Sequence, residues 1–244
     1  MGALDDPTPR GDASLPEPPW WAARRPARAT LSREAIVETA IALLDREGIA
    51  RFSMRRLADA LGTGAASLYW HVGSKDGLLD LVLDEIIGEQ DVPDPEPERW
   101  AEQLKEVAHD LRRTILRHRD VVRLSIGRIP MGPNALRFSE RMLAVLREGG
   151  VPDELAVLGH HLLFSVVNGF TMDETGEPAE ELAGLTMAEG AKMARDYIAA
   201  LPPDRFPNMV AVADYYAISD ADRFSLLIDL YVDGLAARVR AAAG

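Results

Sequence analysis

Cysteine is absent from the 244 residues, which excludes a disulfide framework, thiolate zinc sites, iron–sulfur ligation and a cysteine nucleophile together. No apolar run approaches the roughly 20 residues that a membrane-spanning helix needs, and the N-terminus has no secretory apolar core. The expectation is therefore a soluble cytoplasmic protein with no membrane partner. No stretch alternates with period two and β-branched enrichment, and no internal repeat of fixed period is present. Enzyme signatures are equally scarce: there is no Gly-rich phosphate loop, nucleophile elbow or His-x-x-x-His pair. Five His, abundant Asp and Ser, and a helical body that could host a pocket keep a helical enzyme as the alternative, beside a non-DNA-binding adaptor.

What is present is a core-forming chain. Hydrophobic residues make up 47% and charged residues 27%, enough to bury one or two domains and to exclude wholesale disorder. The net charge of -12 argues against a nucleic-acid partner until it is resolved along the chain. Residues 24–75 hold nine basic and five acidic side chains, a local charge of +4, whereas residues 76–244 carry -13. A small cationic unit on an anionic body suits a protein with one end directed at an anionic polymer.

Residues 1–29, rich in Pro, Ala, Asp and Arg, read as a flexible arm. Arg24, Arg25 and Arg28 there are either a solvated charge run or an arm reaching the minor groove. Beyond Thr30 the periodicity is helical. Ser32 caps a first helix lined by Ile36, Val37, Ala40, Ile41 and Leu44 and stopped by Gly48. Ser53 caps a short second helix with Leu57, Ala58 and Leu61 inward. AASLYWHV forms a third, and Ser74 caps a long fourth one lined by Leu78, Leu79, Val82, Leu83 and Ile86. A Pro/acid linker, DVPDPEPE (91–98), follows. Further helices are predicted at about 99–117, 120–127, 133–148, 153–172, 187–200 and 221–241, separated by Gly/Pro breaks. The fold class is all-α: a three-helix reading head over 30–76 and a larger helical domain over 77–244.

Two short helices around a glycine-containing turn form a helix-turn-helix. The first braces across the phosphate backbone, and the second inserts its N-terminal half into the major groove. Insertion needs a small face, supplied by Ala65, Ala66 and Ser67, and flanking donors, supplied by Tyr69, His71 and Lys75. Arg55, on the bracing helix, reaches a guanine edge or a phosphate. Trp70 and Leu68 are assigned to packing, and Tyr69 to the surface.

The segment from SREAIVETAIALLDREG through LADALGTGAASLYWHVGSKDGLL to DEI closely resembles the DNA-binding domain of the tetracycline-repressor (TetR) family of bacterial regulators. SLYWHV is similar to the TLYWHV of the tetracycline repressors themselves. A looser resemblance extends through HRDVVRLSIGRIPMGPNALRF and the late LIDLYVDGLAARV, so that it covers about residues 30–241. It implies a dimeric regulator, most simply a repressor released from a palindromic double-stranded DNA operator by a small-molecule effector, with no enzymatic activity and no cofactor. It places Arg55, Ala65, Ser67, Tyr69, His71 and Lys75 on DNA-contacting positions, with Arg55 and the Ala65–Ser67 edge reading bases and the others holding phosphates. Ala65-Ala66 stands where the tetracycline repressors have Gln-Pro, so the operator differs from theirs.

The resemblance also implies a homodimer built on two late helices. The candidate stripes are Leu155, Leu158, Leu162, Val166 and Phe170 in one, and Phe224, Leu227, Ile228, Tyr231 and Leu235 in the other. Either could instead fill the monomer's own core, and HHLLFSVVNGF is apolar enough to do both. It implies an effector pocket too, for which Arg128, Phe138, Met142, His160, Phe164, Asn168 and Met172 are the candidate lining. The magnesium–tetracycline ligands are replaced: Ser125 stands for a His, Asn168 for a Glu, and Val107 and Leu111 for polar contacts. No metal site is expected, because adjacent His160 and His161 diverge by about 100° on a helix. A ligand in the pocket is expected to tilt the fourth helix, joined to the head at Gly73-Ser74, and so change the spacing of two heads that must sit about 34–36 Å apart.

Overall fold

In the computed structural model the chain is described over residues 31–176 and 185–243, and every regular element there is helical. The arm with Arg24, Arg25 and Arg28 lies outside the described residues. The head comprises α1 (Arg33–Glu47), α2 (Met54–Ala60) and α3 (Ala65–Val72). Ile36, Val37, Ala40, Leu43 and Leu44 of α1 meet Leu57 and Ala58 of α2 and Leu68 and Val72 of α3 in a small core. The caps predicted at Ser53 and Ser74 form: Ser53 accepts from the Arg56 amide at 3.3 Å, and Ser74 accepts from the Gly77 amide at 2.8 Å. Each satisfies an N–H that the first turn leaves open.

The fourth helix, α4 (Lys75–Gly88), leaves the head and enters the larger bundle. It packs on α1 at one side and on α7 (Pro133–Glu148) at the other. Around it stand α5 (Trp100–Arg117), the short α6 (Val121–Ser125), α8 (Asp153–Glu174) and α11 (Asp220–Ala243). Helix α5 shows why this region folds as it does: Leu104, Val107, Ala108, Leu111 and Ile115 recur at spacings of three and four and are all buried. An Arg112–Glu174 pair, with contacts of 2.9 and 2.5 Å, joins α5 to the end of α8, and its guanidinium lies 4.9 Å over the Phe224 ring of α11. Toward the C-terminus α9 (Met187–Ala199), opened by a Thr186–Glu189 capping box, packs with α10 (Pro207–Ala211) and a 3-10 turn at Ala213–Ala217.

Three expectations change. The Pro/acid segment is no loose linker: the Gln103 side chain donates to the Asp94 carbonyl at 2.7 Å and accepts from the Glu96 amide at 3.0 Å, and Val92 is buried. One amide thus holds a stretch whose prolines cannot donate. Helices α10 and the 3-10 turn lie beyond the Pro202–Pro207 break that the sequence reading took as a simple connection. Helix α8, at 22 residues and a mean hydropathy of 1.4 over 18 of them, is long and apolar enough to cross a membrane by length and composition. No contiguous apolar run marks it in the sequence, because His160, His161 and Asn168 interrupt the apolar residues. Its Ala156, Gly159, His160, Leu163, Val167 and Thr171 are buried in the helical bundle.

The joint between α4 and α7 depends on one buried carboxylate. Asp84 accepts from the amides of Ala135 at 2.9 Å and Asn134 at 3.3 Å, at the start of α7. Its negative charge suits the positive end of the helix dipole. Gly132 makes the approach possible, because a Cβ there would lie 2.3 Å from the Asp84 carboxylate. Asp84→Ala leaves two amides without their acceptor, so a loss of about 2 kcal/mol is expected, measured by urea unfolding. An unchanged midpoint would show that the joint does not depend on Asp84.

Candidate DNA-reading head and effector cavity

Helix α3 turns Leu68 and Val72 inward and leaves Ala66, Ser67, Tyr69 and Trp70 exposed, with Ala65 and His71 half-buried. Tyr69 is thus at the surface, as expected. Trp70 is not in the core: 83% of it is exposed, and its ring meets only the edge of His71, 4.8 Å away between centroids. The reason is angular. Leu68 and Val72, four apart, fix the inward direction, and Trp70 lies about 200° around from Leu68. Arg55 is exposed on α2 and forms no ion pair among the described residues, whereas neighbouring Arg56 is held by Glu47 at 2.8 Å. Lys75 is exposed but partly engaged, donating to the Phe52 carbonyl at 3.2 Å. Arg33 donates to the His71 carbonyl at 3.4 Å. The exposed surface of α3 thus presents small residues, hydroxyls and an indole, and α2 presents the guanidinium of Arg55.

Behind the head, α4, α5, α6, α7 and α8 enclose a cavity of about 380 Å³. Arg128, Phe138, His160, Phe164 and Asn168 line it, as expected. Met142 does not: it is fully buried in packing on the inner face of α7. Met172 does not either, and lines a separate groove beside the α5–α6 turn. Both methionines have helical spacing suited to a pocket, but Met142 faces the core and Met172 sits beyond the end of the cavity. Leu111 and Ser125 belong to the lining, and the Ser125 hydroxyl donates to the Val122 carbonyl at 2.8 Å.

The lining also includes groups that sequence reading missed. Both side-chain polar atoms of Gln90 and the Nε2 atom of His160 are buried without a partner among the described residues. Unsatisfied polar atoms on a cavity wall call for a ligand or water. Burial, with the neighbouring His161 adding to it, pushes the His160 imidazole down to about 4, so the ring is neutral at pH 7. Gln90 follows the last turn of α4, where no periodicity marks it. The orphaned amide is visible only in three dimensions.

The cavity and the head are tied at several points. Arg128 donates to Asp76 at 2.9 Å and to Asp80 at 2.5 Å, both in the first two turns of α4. At the opposite end of α6, His118 lies between Asp45 of α1 at 3.0 Å and Glu89 at 2.9 Å. Asp120, in the left-handed region at φ 61°, accepts from the Ile49 amide at 2.9 Å. Gly73, with φ 73°, forms the turn between α3 and α4. The outward apolar residues of the late helices are also defined. On α8 they are Val157, Leu158, Leu162 and Met172; on α11 they are Leu226 and Leu230. Of the α11 stripe, Leu227 and Tyr231 are half-buried, whereas Phe224, Ile228 and Leu235 are buried in the monomer's core. Those residues meet the inner faces of α5 and α8, which takes them out of any surface.

Known proteins with this arrangement are regulators. Residues 36–82 match the domain described as "Bacterial regulatory proteins, tetR family", and residues 92–239 match "Tetracyclin repressor-like, C-terminal domain". A helix-turn-helix transcriptional regulator of Saccharopolyspora erythraea is 42% identical over 120 residues, which spans about half of each chain. The transcriptional repressor DrrR1 of Streptomyces coeruleorubidus is 31% identical over 88% of this chain and 82% of its own. Apo ActR of Streptomyces coelicolor superimposes with a TM-score of 0.80 at 43% identity, covering 88% of this chain and 99% of ActR. ActR has also been solved with actinorhodin and with (S)-DNPA. Head, cavity and likeness over nearly the whole helical body agree: the chain belongs to the TetR family of ligand-responsive, DNA-binding transcriptional repressors.

Proposed function

We propose that the protein is a homodimeric cytoplasmic repressor that occupies a palindromic operator and leaves it when a small molecule fills the cavity, and that it has no enzymatic activity. The observation that carries this reading is that α4 is shared. It starts at the Gly73 turn of the head and supplies Leu83, Ile86 and Ile87 to the cavity wall. A ligand that binds the two orientations of α4 unequally biases the separation of two heads. In this reading residues 30–76 read DNA, and residues 77–244 bind effector and pair the subunits. The exposed apolar residues of α8 and α11 are the pairing surface.

On the head, Arg55 and the edge formed by Ala65, Ala66 and Ser67 read bases. Tyr69, His71 and Lys75 hold phosphates, which fixes register. The exposure of Trp70 adds it to the same face. The free guanidinium of Arg55 supports its role, because a group already paired would have to break a contact to bind DNA.

Gel-shift titration of the DNA upstream of its own gene should show affinity falling steeply with salt, as counterions are released. Tyr69→Ala should weaken operator and random DNA alike. Arg55→Ala should weaken the operator by about 1–3 kcal/mol and relax sequence preference at its base. Parental binding by both variants would refute the head assignment. Magnesium–tetracycline is not the effector in this reading. The cavity lining carries no carboxylate, and Ser125 and Asn168 supply neutral oxygens where a divalent ion favours several hard charged ones. Titration with tetracycline and magnesium should give no saturable fluorescence change; a micromolar isotherm would overturn that statement.

A further inference from the structure

Among the described residues, the cavity lining has one permanently charged side chain. Arg128 supplies a guanidinium, and the rest are aliphatic, aromatic, hydroxyl, thioether or amide groups and the imidazoles of His160 and His161, with no carboxylate. An acidic molecule entering this space finds a single counter-ion. The Arg128 side chain is 19% exposed, while its partners Asp76 and Asp80 are 82% and 62% exposed. Ion pairs with such exposed carboxylates contribute little, since water solvates the carboxylates almost as well. A carboxylate or phenolate inside the apolar cavity is differently placed. It has left water, and the planar fork of an arginine can meet it with two parallel hydrogen bonds. The two competitors for Arg128 are therefore unequal.

Resting on the reading of the cavity as the effector site, we propose that the effector is an organic acid and that Arg128 is both its counter-ion and the latch on α4. Binding draws the guanidinium off Asp76 and Asp80, and the first turns of α4, next to the head, lose their tie to the α6–α7 connection. The apolar walls fit a ring system. The orphaned atoms of Gln90 and His160 fit hydroxyl or carbonyl groups on that ring system, since the neutral imidazole and the amide can each exchange one hydrogen bond without a charge.

Two fluorescent probes of similar shape separate the possibilities: anilinonaphthalene sulfonate, an aromatic anion, and N-phenylnaphthylamine, its uncharged counterpart. The full-length protein is expected to bind the anion at least about tenfold more tightly, the scale of a charge-assisted pair. Arg128→Gln should abolish that preference and keep the affinity for the neutral probe. The double variant Asp76→Asn/Asp80→Asn, which removes both charged partners and leaves the 3.3 Å contact to the Asp76 carbonyl, should tighten the anion and leave the neutral probe unchanged. In the parent, the anion alone should speed amide hydrogen exchange at residues 76–80. Ser139→Trp, which fills the cavity, should weaken both probes. Equal affinities in the parent, or a preference that survives Arg128→Gln, overturn the acid proposal while the cavity reading stands. If Ser139→Trp displaces neither probe, or neither binds the parent, the cavity reading itself falls. Should Arg128→Gln fail to fold, the aspartate pair decides: unchanged affinity for the anion refutes the latch.

Discussion

A buried carboxylate at the start of α7 is the constraint on which the rest of the architecture turns. Asp84 sits on the helix that leaves the head, yet its partners are the first amides of a cavity-wall helix. The bonds are oriented by a helix terminus and shielded from water, so they are strong for their number. With Gly132 leaving no room for a side chain between them, α4 and α7 meet at a fixed distance. Head and cavity consequently belong to one packed body from Arg33 onward, and a change of shape at the wall has no slack in which to dissipate.

The charge distribution fits the same division of labour. The acidic body keeps its own surface away from a polyanion, and the basic excess lies toward the N-terminal end, over residues 24–75. Within the head, cations divide into those used for folding and those left free. Arg56 is spent on Glu47 and Arg33 on the His71 carbonyl, whereas Arg55 stands in solvent. Similar arginines one position apart thus have different tasks, decided by which side of a seven-residue helix each occupies.

Much of this was legible in the sequence. Serine caps, glycine stops and the spacing of Leu and Val gave the head and most helices of the body to within a few residues, because local hydrogen bonding and one buried face decide them. The five candidate residues that line the cavity lie on the inner faces of α7 and α8 or at the turn after α6. The failures share a cause. The directions of Met142, Met172 and Trp70 depend on which neighbouring helix occupies which side. For Trp70 the information was available, since Leu68 and Val72 already fixed the wheel. For Gln90, and for the meeting of Arg128 with Asp76 and Asp80, about 50 residues apart, no local pattern carries the signal.

The segment from Asp91 to Glu98 has one more consequence. With three prolines and both ends of the Gln103 amide engaged, it clamps the exit of α4 against α5, where Glu89 is also gripped by Arg117 and His118. The opposite end of α4, beside Gly73, is held by the Arg128 contacts to Asp76 and Asp80. Once those contacts are released, a rod of 14 residues, about 21 Å long and held at the clamp, would carry its far tip almost 4 Å for a swing of about 10°. Stiff proline stitching at one end is what lets a small push in the middle become a large stroke at the other.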